Sequence, residues 1–406
     1  MKTTINPSLT SSLPAIQAIG IIEKCVHCGF CNATCPTYLE LGDERDGPRG
    51  RIYLIKQLLE RGSATERTRT HLDRCLSCRS CETTCPSGVE YGRLLDIGRN
   101  IIENQQVRPL NEKFLRWALC KILPYRKRFT FFLRLGQAFR WLLPAVLSQK
   151  IPERTKTRPW PENTHSRIMI VLAGCAQPGA TPNTNVAAAR VFDKLGISLQ
   201  EIDMAGCCGA MSYHMSRHDE ALNFARHNID AWWPAVENGA EALVITASGC
   251  GTMVKDYGEL LRSDSVYAAK ASKISSLTKD LSEILLDEDL SKLHIGRQRK
   301  KTAIHCPCSL AHAQNLPMSV ENILSFLKVD VAKTRDQHLC CGSAGVYSIL
   351  EPKMSRRLLD KKLIALTMDN PQRIVTANVG CQLHLASRAD VPVMHWIELV
   401  DELVTG

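Results

Sequence analysis

The chain has 406 residues, which is more than one compact domain usually contains and predicts two or three domains. Its apolar fraction of 44% and charged fraction of 23% are those of a globular protein and exclude a disordered or fibrous chain. The 18 cysteines are unusual, and residues 1–20 lack the basic start and apolar core of an export signal. We therefore expect a cytoplasmic protein whose reduced thiols bind metal or carry out redox chemistry, rather than a secreted disulfide scaffold.

The first eight cysteines form two copies of one motif. Cys25-x-x-Cys28-x-x-Cys31-x-x-x-Cys35-Pro36 recurs fifty residues later as Cys75-x-x-Cys78-x-x-Cys81-x-x-x-Cys85-Pro86. This spacing is typical of bacterial ferredoxins with two [4Fe–4S] clusters, in which the fourth cysteine of each motif ligates the other cluster. The expected ligands are Cys25, Cys28, Cys31 and Cys85 for the first cluster, and Cys75, Cys78, Cys81 and Cys35 for the second.

Zinc is the alternative occupant, because it also binds four thiolates. Zinc sites usually use two separated cysteine pairs, so a closely spaced triple followed by Cys-Pro favours iron–sulfur clusters. Cations near the ligands are expected to raise the reduction potential of a cluster, since reduction adds negative charge. The flanking cations are Lys24, Arg45, Arg49, Arg51, Arg74 and Arg79. For about half of them, simple exposure to solvent is the alternative.

The positive charge of the chain is concentrated after these motifs. The whole chain has a net charge of +10, but residues 104–168 alone contain fourteen Lys or Arg and three Glu, a local charge of +11. The rest is close to neutral, which argues against a nucleic-acid-binding protein. This segment is expected to lie on an anionic membrane surface, to dock a partner subunit, or to form a solvated linker. Its large apolar residues include Trp117, Leu119, Phe131, Phe132, Leu133, Phe139, Trp141 and Leu142.

The C-terminal half of the chain repeats itself. Cys207-Cys208-Gly209 recurs 133 residues later as Cys340-Cys341-Gly342, and Ser248-Gly249-Cys250 recurs 131 residues later as Val379-Gly380-Cys381. Cys175 has its counterpart in Cys306 or Cys308 at the same spacing. Three landmarks at nearly one offset indicate an internal duplication.

Each repeat alternates short apolar runs with helical patterns. The runs 168–173, 242–246, 302–304 and 373–376 are predicted to be buried, parallel strands. The predicted helices are 185–195, 218–236, 320–327 and 353–366. This alternation predicts an α/β fold with the cysteines at the carboxyl ends of strands, where such sheets form their sites. The N-terminal motifs show little strand signal and a helical pattern over residues 49–59.

Together these patterns predict an α+β protein, in which a mainly helical two-cluster ferredoxin domain precedes a duplicated α/β cysteine-rich domain. The boundaries follow from the two cysteine blocks and the basic segment between them. The expected divisions are a ferredoxin-like domain over residues 1–103, a basic amphipathic connecting segment over 104–166, and cysteine-rich repeats over 167–295 and 296–406.

The cysteines of the repeats form two candidate metal sites. They could converge on a third metal, either zinc or an iron–sulfur cluster, or they could be structural thiols packed in a turn. The first set is Cys175, Cys207, Cys208 and Cys250, and the second is Cys306, Cys308, Cys340, Cys341 and Cys381. The nearby His305, His312 and His384 are expected to be hydrogen-bonding neighbours rather than ligands.

The combination of both motif pairs resembles the family of iron–sulfur subunits of bacterial glycolate oxidase (glycolate dehydrogenase). The resemblance covers most of the chain and rests on CVHCGFCNATCPTY at 25–38, GDERDGPRGRIYLIK at 42–56, HLDRCLSCRSCETTCPSGV at 71–89, GCAQPGATPNTN at 174–185, AGCCGA at 205–210, LCCGSAG at 339–345 and TANVGCQLHL at 376–385. Relatives of the heterodisulfide reductase type end each repeat in Cys-x-x-Cys, but Met253 and His384 hold that last position here. The noncubane clusters and disulfide chemistry of those relatives are therefore disfavoured.

The resemblance implies an electron-transfer subunit of a flavin-dependent 2-hydroxyacid dehydrogenase. FAD-bearing partner subunits would oxidise glycolate, and electrons would pass through the two clusters towards the respiratory chain or quinone pool, at the inner face of the cytoplasmic membrane. Iron–sulfur clusters move single electrons and cannot accept a hydride. The sequence has no flavin fingerprint, since Gly249-Cys-Gly251 lacks the third glycine. The isolated chain is therefore expected to lack catalytic residues and to be inactive.

Two alternative functions stay open. The iron–sulfur subunit of anaerobic glycerol-3-phosphate dehydrogenase or of a D-lactate dehydrogenase would share this architecture, and the substrate of the partner would distinguish them. A free-standing ferredoxin-type carrier or disulfide reductase would act without a dedicated flavoprotein and would be monomeric on gel filtration.

Overall fold

The computed structural model describes residues 1–9, 13–105, 108–142, 144, 148–149, 151–296 and 300–405. The helices of the N-terminal part and the basic segment are α1 Leu13–Glu23, α2 Phe30–Ala33, α3 Pro36–Leu41, α4 Pro48–Arg61, α5 Glu66–Asp73, α6 Ser80–Thr83, α7 Tyr91–Gln105, α8 Leu110–Ile122 and α9 Arg126–Ala138. Helices of the first repeat are α10 Gln177–Ala180, α11 Asn183–Lys194, α12 Ala210–His214, α13 His218–Glu237, α14 Ser248–Lys255, α15 Tyr257–Leu260, α16 Ala268–Leu277 and α17 Leu281–Asp287. Those of the second are α18 Ser319–Phe326, α19 Tyr347–Leu350, α20 Pro352–Thr367, α21 Val379–Ala386 and α22 Trp396–Thr405.

The strands of the described residues follow the basic segment and lie between residues 167 and 395. They are β1 Arg167–Val171, β2 Ile197–Glu201, β3 Leu243–Ile245, β4 Thr278–Asp280, β5 Thr302–His305, β6 Arg373–Thr376 and β7 Val393–His395. The chain divides into two compact units: Met1–Arg116 with His338–Leu358, and Trp117–Gln337 with Leu359–Gly406.

The first unit is helical around the two cysteine motifs. Its core is formed mainly by apolar side chains of α1, α4 and α7, namely Ile21, Ile22, Ile55, Leu59, Leu94, Leu95 and Ile102. Helix α4 begins with Pro48, whose missing N–H costs nothing in a first turn, and ends at Gly62 in a left-handed conformation. A Cβ on Gly50 would lie 2.0 Å from the Glu44 carbonyl oxygen, so glycine is needed where this loop approaches α4.

The second unit contains two parallel sheets. The first has the strand order β2-β1-β3-β4 and the second has the order β5-β6-β7. A parallel bridge between Thr302 and Val331 occupies the place in the second sheet that β2 has in the first. The sheets therefore have the same topology, as an internal duplication requires. One apolar core includes side chains of both sheets, among them Val171, Ile304 and Val375.

The predicted fold class is confirmed: helical motifs precede two small parallel α/β sheets. Strand β6 has the predicted bounds, and the four predicted helices of the repeats are present within a few residues. The prediction missed β2, β4 and β7. Their sequences, ISLQE, TKD and VMH, are short or polar, and their extended conformation depends on pairing with a neighbouring strand rather than on local sequence.

The basic segment contains amphipathic helices. In α9, Thr130 and Phe129 pack against Gly179 of α10, where a Cβ would lie 2.9 Å from Thr130 Oγ1. Phe131 and Phe132 on the same helix are 62% and 48% exposed. Within the described residues, no helix is both long and apolar enough to cross a membrane.

Candidate iron–sulfur centres

A cavity in the first unit is lined by cysteines of both motifs. Cys25, Cys28 and Cys31 of the first motif line it together with Cys85, the last cysteine of the second motif. Cys81 also reaches this cavity. The fold thus places the fourth cysteine of one motif beside the first three of the other.

A second cavity has the reciprocal lining. Cys75, Cys78 and Cys81 border it together with Cys35. Each of the eight predicted ligands lines the cavity expected from the crossed spacing.

The donor atoms of these cavities suit iron–sulfur clusters. Zinc holds four sulfurs at about 2.3 Å, which brings the sulfurs within about 4 Å of one another. In the described part of the chain, no group of three ligands within 4.8 Å of one another includes a cysteine of these motifs. The thiols are therefore spread more widely than a single zinc ion requires, as expected around a larger cluster.

The cysteine loops share a local backbone conformation. The first loop is left-handed at His27 (φ 57°) and Gly29 (φ 86°), and the second at Ser77 (φ 53°) and Arg79 (φ 58°). These positions match at the offset of fifty residues. Three of the four are not glycine, and a left-handed conformation is strained for such residues. Strained backbone of this kind is common at sites that hold ligands.

Proline fixes the chain direction after the fourth cysteine of the first motif. Cys35 is the N-cap of α3, and Pro36 occupies the first turn of that helix. Proline suits this position because its φ angle is already helical and a first-turn residue needs no N–H bond. The chain is thereby directed away from its own motif, and Cys35 reaches the second cavity.

A buried cation lies beside Cys35. Arg51 is 0% exposed, and its Nη1 donates to Thr37 Oγ1 at 3.1 Å and lies 4.0 Å from Cys35 Sγ. Arg51 Nη2 lies 3.5 Å from Asp46 Oδ1. Because a buried guanidinium keeps its charge, the nearby carboxylate offsets the cost of burying it.

Asp46 also joins the second motif to this network. Its Oδ1 lies 3.0 Å from His71 Nδ1, and its Oδ2 accepts a hydrogen bond from Arg74 Nη1 at 3.1 Å. Arg74 directly precedes Cys75, so Asp46 connects the two halves of the second site.

Side chains of helix α7 form hydrogen bonds with the second motif. Tyr91 Oη donates to Cys75 Sγ at 3.6 Å. Arg99 Nη2 donates to the carbonyl oxygens of Leu72 and Cys75, both at 2.7 Å. Sequence reasoning missed Asp46, Tyr91 and Arg99, because each acts through contacts that are distant along the chain.

Most of the predicted flanking cations form ion pairs. The pairs are Lys24–Glu90, Arg45–Asp43, Arg49–Glu44, Arg51–Asp46 and Arg74–Asp46. Exposed pairs are screened by water and salt, so their net effect on a cluster is small. Arg51 is the fully buried cation in this set and is therefore expected to have the largest effect.

Burial affects the ligand thiols themselves. It raises the pKa of Cys31 to about 11 and raises the pKa of Cys81 well above its ordinary value. Iron binds thiolates, so cluster binding releases the protons that burial otherwise retains.

The four thiols of the first repeat are brought together. The neighbouring Cys207 thiol, together with burial, raises the pKa of Cys175, and the neighbouring Cys250 thiol, together with burial, raises the pKa of Cys208. Tyr257 Oη donates to the Cys208 carbonyl oxygen at 2.8 Å and holds this turn. The four cysteines predicted for the first repeat therefore lie next to one another.

The thiols of the second repeat are divided between the compact units. Cys306, Cys308 and Cys381 belong to the second unit, whereas Cys340 and Cys341 lie in His338–Leu358 of the first. His305 Nδ1 lies 2.8 Å from Thr376 Oγ1, within hydrogen-bonding distance.

Comparison with known proteins finds families that match the same two cysteine-containing regions. The family described as "4Fe-4S dicluster domain" matches residues 21–89, and the family described as "Cysteine-rich domain" matches residues 169–255 and 302–386. The chain is 52% identical over 403 residues to the "Glycolate oxidase iron-sulfur subunit" of Escherichia coli (strain K12), with 99% of both chains covered. The chain belongs to the family of glycolate oxidase iron–sulfur subunits.

Other relatives are similar to this chain at lower identity. The "Probable glycolate oxidase iron-sulfur subunit" of Bacillus subtilis (strain 168) is 29% identical over 399 residues, covering 90% of this chain and 88% of the relative. A "Lactate utilization protein A" of Bacillus cytotoxicus is 25% identical over 226 residues, or 54% of this chain and 92% of the relative. Of these three relatives, the two glycolate oxidase subunits are the ones that are similar to the chain over nearly its full length. As a member of their family, the chain is an iron–sulfur subunit of an oxidoreductase.

Proposed function

We propose that this chain is the electron-transfer subunit of a flavin-dependent glycolate dehydrogenase. It passes electrons from FAD on partner subunits through two [4Fe–4S] clusters towards the respiratory chain. The observation that carries the proposal is the pair of adjoining cavities in one unit, since each is lined by three cysteines of one motif together with the fourth cysteine of the other.

The linings support the ligand assignment that we propose from the motif spacing. Cys25, Cys28, Cys31 and Cys85 bind the first cluster, and Cys75, Cys78, Cys81 and Cys35 bind the second. When bound, the clusters supply one-electron redox chemistry. Cys81 borders both cavities, so the two sites adjoin one another.

The protein around the thiols has two tasks. Apolar groups such as Ile52 and Val89 line the first cavity and limit the access of water. Arg51 and Asp46 place a buried charge pair beside the second cavity. The chain thus positions the electron carriers and adjusts their reduction potentials. The substrate is oxidised on a partner subunit, so the isolated chain is inactive.

Glycolate is favoured over lactate by the extent of similarity. The glycolate oxidase subunit matches the entire chain at 52% identity, whereas the lactate utilization protein matches about half of it at 25%. Anaerobic addition of glycolate tests the proposal: clusters in the complex become reduced, and those of the chain alone stay oxidised.

The domain boundaries proposed from the sequence assign a task to each part. Residues 1–103 carry the clusters, residues 104–166 form the basic connecting segment, and residues 167–295 and 296–406 are the two cysteine-rich repeats.

The basic segment supports a second proposal, that the complex lies peripherally on the inner face of the cytoplasmic membrane. Residues 126–142 contain five Lys or Arg and no acidic residue. Phe131, Phe139 and Trp141 within them are 62%, 48% and 79% exposed. Exposed aromatic side chains beside cations suit insertion at an anionic lipid interface.

Neutralising this surface should weaken vesicle binding. A variant with Gln at Arg126, Lys127, Arg128 and Arg134 is expected to lose at least tenfold in affinity for anionic vesicles, since each cation near the surface contributes about 1 kcal/mol. The measurement is sedimentation with vesicles at about 50 to about 500 mM salt, which shortens the Debye length roughly threefold.

The matched control neutralises four exposed cations of the second unit outside the segment. They are Arg262, Lys273, Lys292 and Lys300. This control should bind vesicles as the wild type does. If both variants bind vesicles equally well, or if salt does not change binding by the wild type, the membrane proposal is contradicted. The segment would then have a docking or linker role.

A further inference from the structure

The two candidate cluster sites differ in the exposure of their ligands. Cys28 of the first set is exposed, and the other three cysteines of that set are half-buried. In the second set, Cys35, Cys75 and Cys81 are buried and Cys78 is half-buried. Electrons pass between proteins only over short distances, so the first site is the one that a partner can approach.

The residues around Cys28 are apolar and face solvent. Val26 is 69% exposed and Phe30 is 60% exposed, and both line the first cavity. The residues at the same positions of the second motif, fifty residues later, are Leu76 at 6% and Ser80 at 1% exposure. The two loops share their backbone conformation, so the exposed apolar pair is a specific property of the first loop.

The charge of this loop favours a protein partner over a lipid surface. Residues 21–31 contain one acidic and one basic residue, Glu23 and Lys24. Lys24 is paired with Glu90 at 3.1 Å, and Arg49, which lines the same cavity, is paired with Glu44 at 2.6 Å. An anionic membrane needs a positively charged surface, such as residues 126–142 provide. A small neutral apolar patch instead resembles the centre of a protein–protein interface, where aromatic anchors are enriched.

We propose that the face formed by Val26, Cys28 and Phe30 is the docking site of the electron-donating flavoprotein. The first site would then receive electrons from the partner, and the second site, three of whose cysteines are buried, would receive them from the first. Oxidation of one substrate molecule leaves two electrons on the flavin, and a cluster held at the first site would accept them one at a time. This inference rests on the proposed flavoprotein partnership and adds the place at which the partner binds.

The test measures binding of the partner to variants of this face. The probe is the FAD-bearing protein that co-purifies with the tagged wild-type chain, separated from it and purified. Val26→Asp and Phe30→Ser are expected to raise its dissociation constant at least tenfold, because each removes an apolar anchor from the centre of the interface.

The controls are the same substitutions at equally exposed positions elsewhere. Val266 is 69% exposed and Phe326 is 58% exposed. Val266→Asp and Phe326→Ser should bind the flavoprotein with the wild-type dissociation constant. Iron content is determined for every variant, so that loss of a cluster is distinguished from loss of docking.

The two proposals fail in different ways. A wild-type chain that retains no FAD-bearing protein overturns the proposed function. A wild-type chain that retains one, with Val26→Asp and Phe30→Ser binding it equally well, overturns only the docking site. So does a result in which Val26→Asp abolishes self-association of the chain but leaves flavoprotein binding intact.

Amide hydrogen exchange supplies a measurement that needs no variant. Residues 23–31 of the wild-type chain should exchange more slowly when the flavoprotein is bound. Exchange unchanged in this loop, together with slowing elsewhere, would place the docking site elsewhere even if both variants lost their clusters.

Discussion

Replacing Cys35 with serine should remove the second cluster and leave the first intact. The purified variant is expected to retain about four of about eight iron atoms. Cys85→Ser should remove the first cluster instead. The reason is the crossed lining, in which Cys35 borders the cavity of Cys75, Cys78 and Cys81. The measurement is iron content with the electron paramagnetic resonance (EPR) spectrum of the reduced protein.

Paired variants make this test specific. Cys35→Ser should give the same spectrum as Cys78→Ser, and the double variant should still retain about four iron atoms. Combining Cys35→Ser with Cys28→Ser should remove nearly all iron. Cys120→Ser, which alters a buried cysteine outside both motifs, should keep the full content. A Cys35→Ser spectrum that matches Cys28→Ser would show that each motif binds its own cluster.

Arg51→Gln should lower the reduction potential of the second cluster. The guanidinium is fully buried and lies 4.0 Å from Cys35 Sγ, so its charge is poorly screened. Its loss should reduce the equilibrium constant for reduction at least tenfold, which is about 59 mV for one electron. The potential is measured by redox titration followed by EPR.

The charge, rather than the packing, is the expected cause. Arg51→Lys should therefore restore most of the potential, although it cannot reproduce the hydrogen bonds of the guanidinium. Arg49→Gln is the matched control, since Arg49 is a half-buried cation near the first cavity that pairs with Glu44. It should shift the first cluster only slightly. A folded Arg51→Gln protein with an unchanged second potential would contradict the electrostatic account.

Arg51→Gln should also destabilise the first unit. Asp46 would lose one of its buried partners, and breaking a buried ion pair typically costs about 3–5 kcal/mol. Because His71 and Arg74 still contact Asp46, the loss should fall at the lower end of that range. The double variant Arg51→Gln with Asp46→Asn removes both charges of the buried pair. Comparing it with Arg51→Gln separates the effect on the free energy of unfolding from the effect on the reduction potential.

Sequence patterns predicted the parts of this protein that depend on local spacing. The cysteine motifs, the duplicated repeats and strand β6 are all specified by neighbouring residues. The left-handed conformations of Ser77 and Arg79 could not be inferred in the same way, because neither is glycine. They are recognisable only by analogy with His27 and Gly29 at the same positions of the first motif.

The network around the second site was beyond the reach of sequence reasoning. Asp46 and His71 are 25 residues apart, and the loop that carries Asp46 approaches α4 closely at Gly50, where a Cβ would clash with the Glu44 carbonyl oxygen. Arg51 was predicted as one of six flanking cations, but its complete burial was not. The exposure of Val26 and Phe30 was equally unpredictable, since the matching positions of the second motif are buried.

The most direct test of the central claim is anaerobic reduction by glycolate, followed by EPR. The purified complex should contain about eight iron atoms per chain and no stoichiometric zinc, and glycolate should reduce its clusters. The chain alone should contain the same iron and stay oxidised with glycolate, but become reduced by dithionite. About twelve iron atoms would show that a cysteine-rich repeat also binds a cluster. Zinc in place of iron, or reduction of the isolated chain by glycolate, would contradict the account.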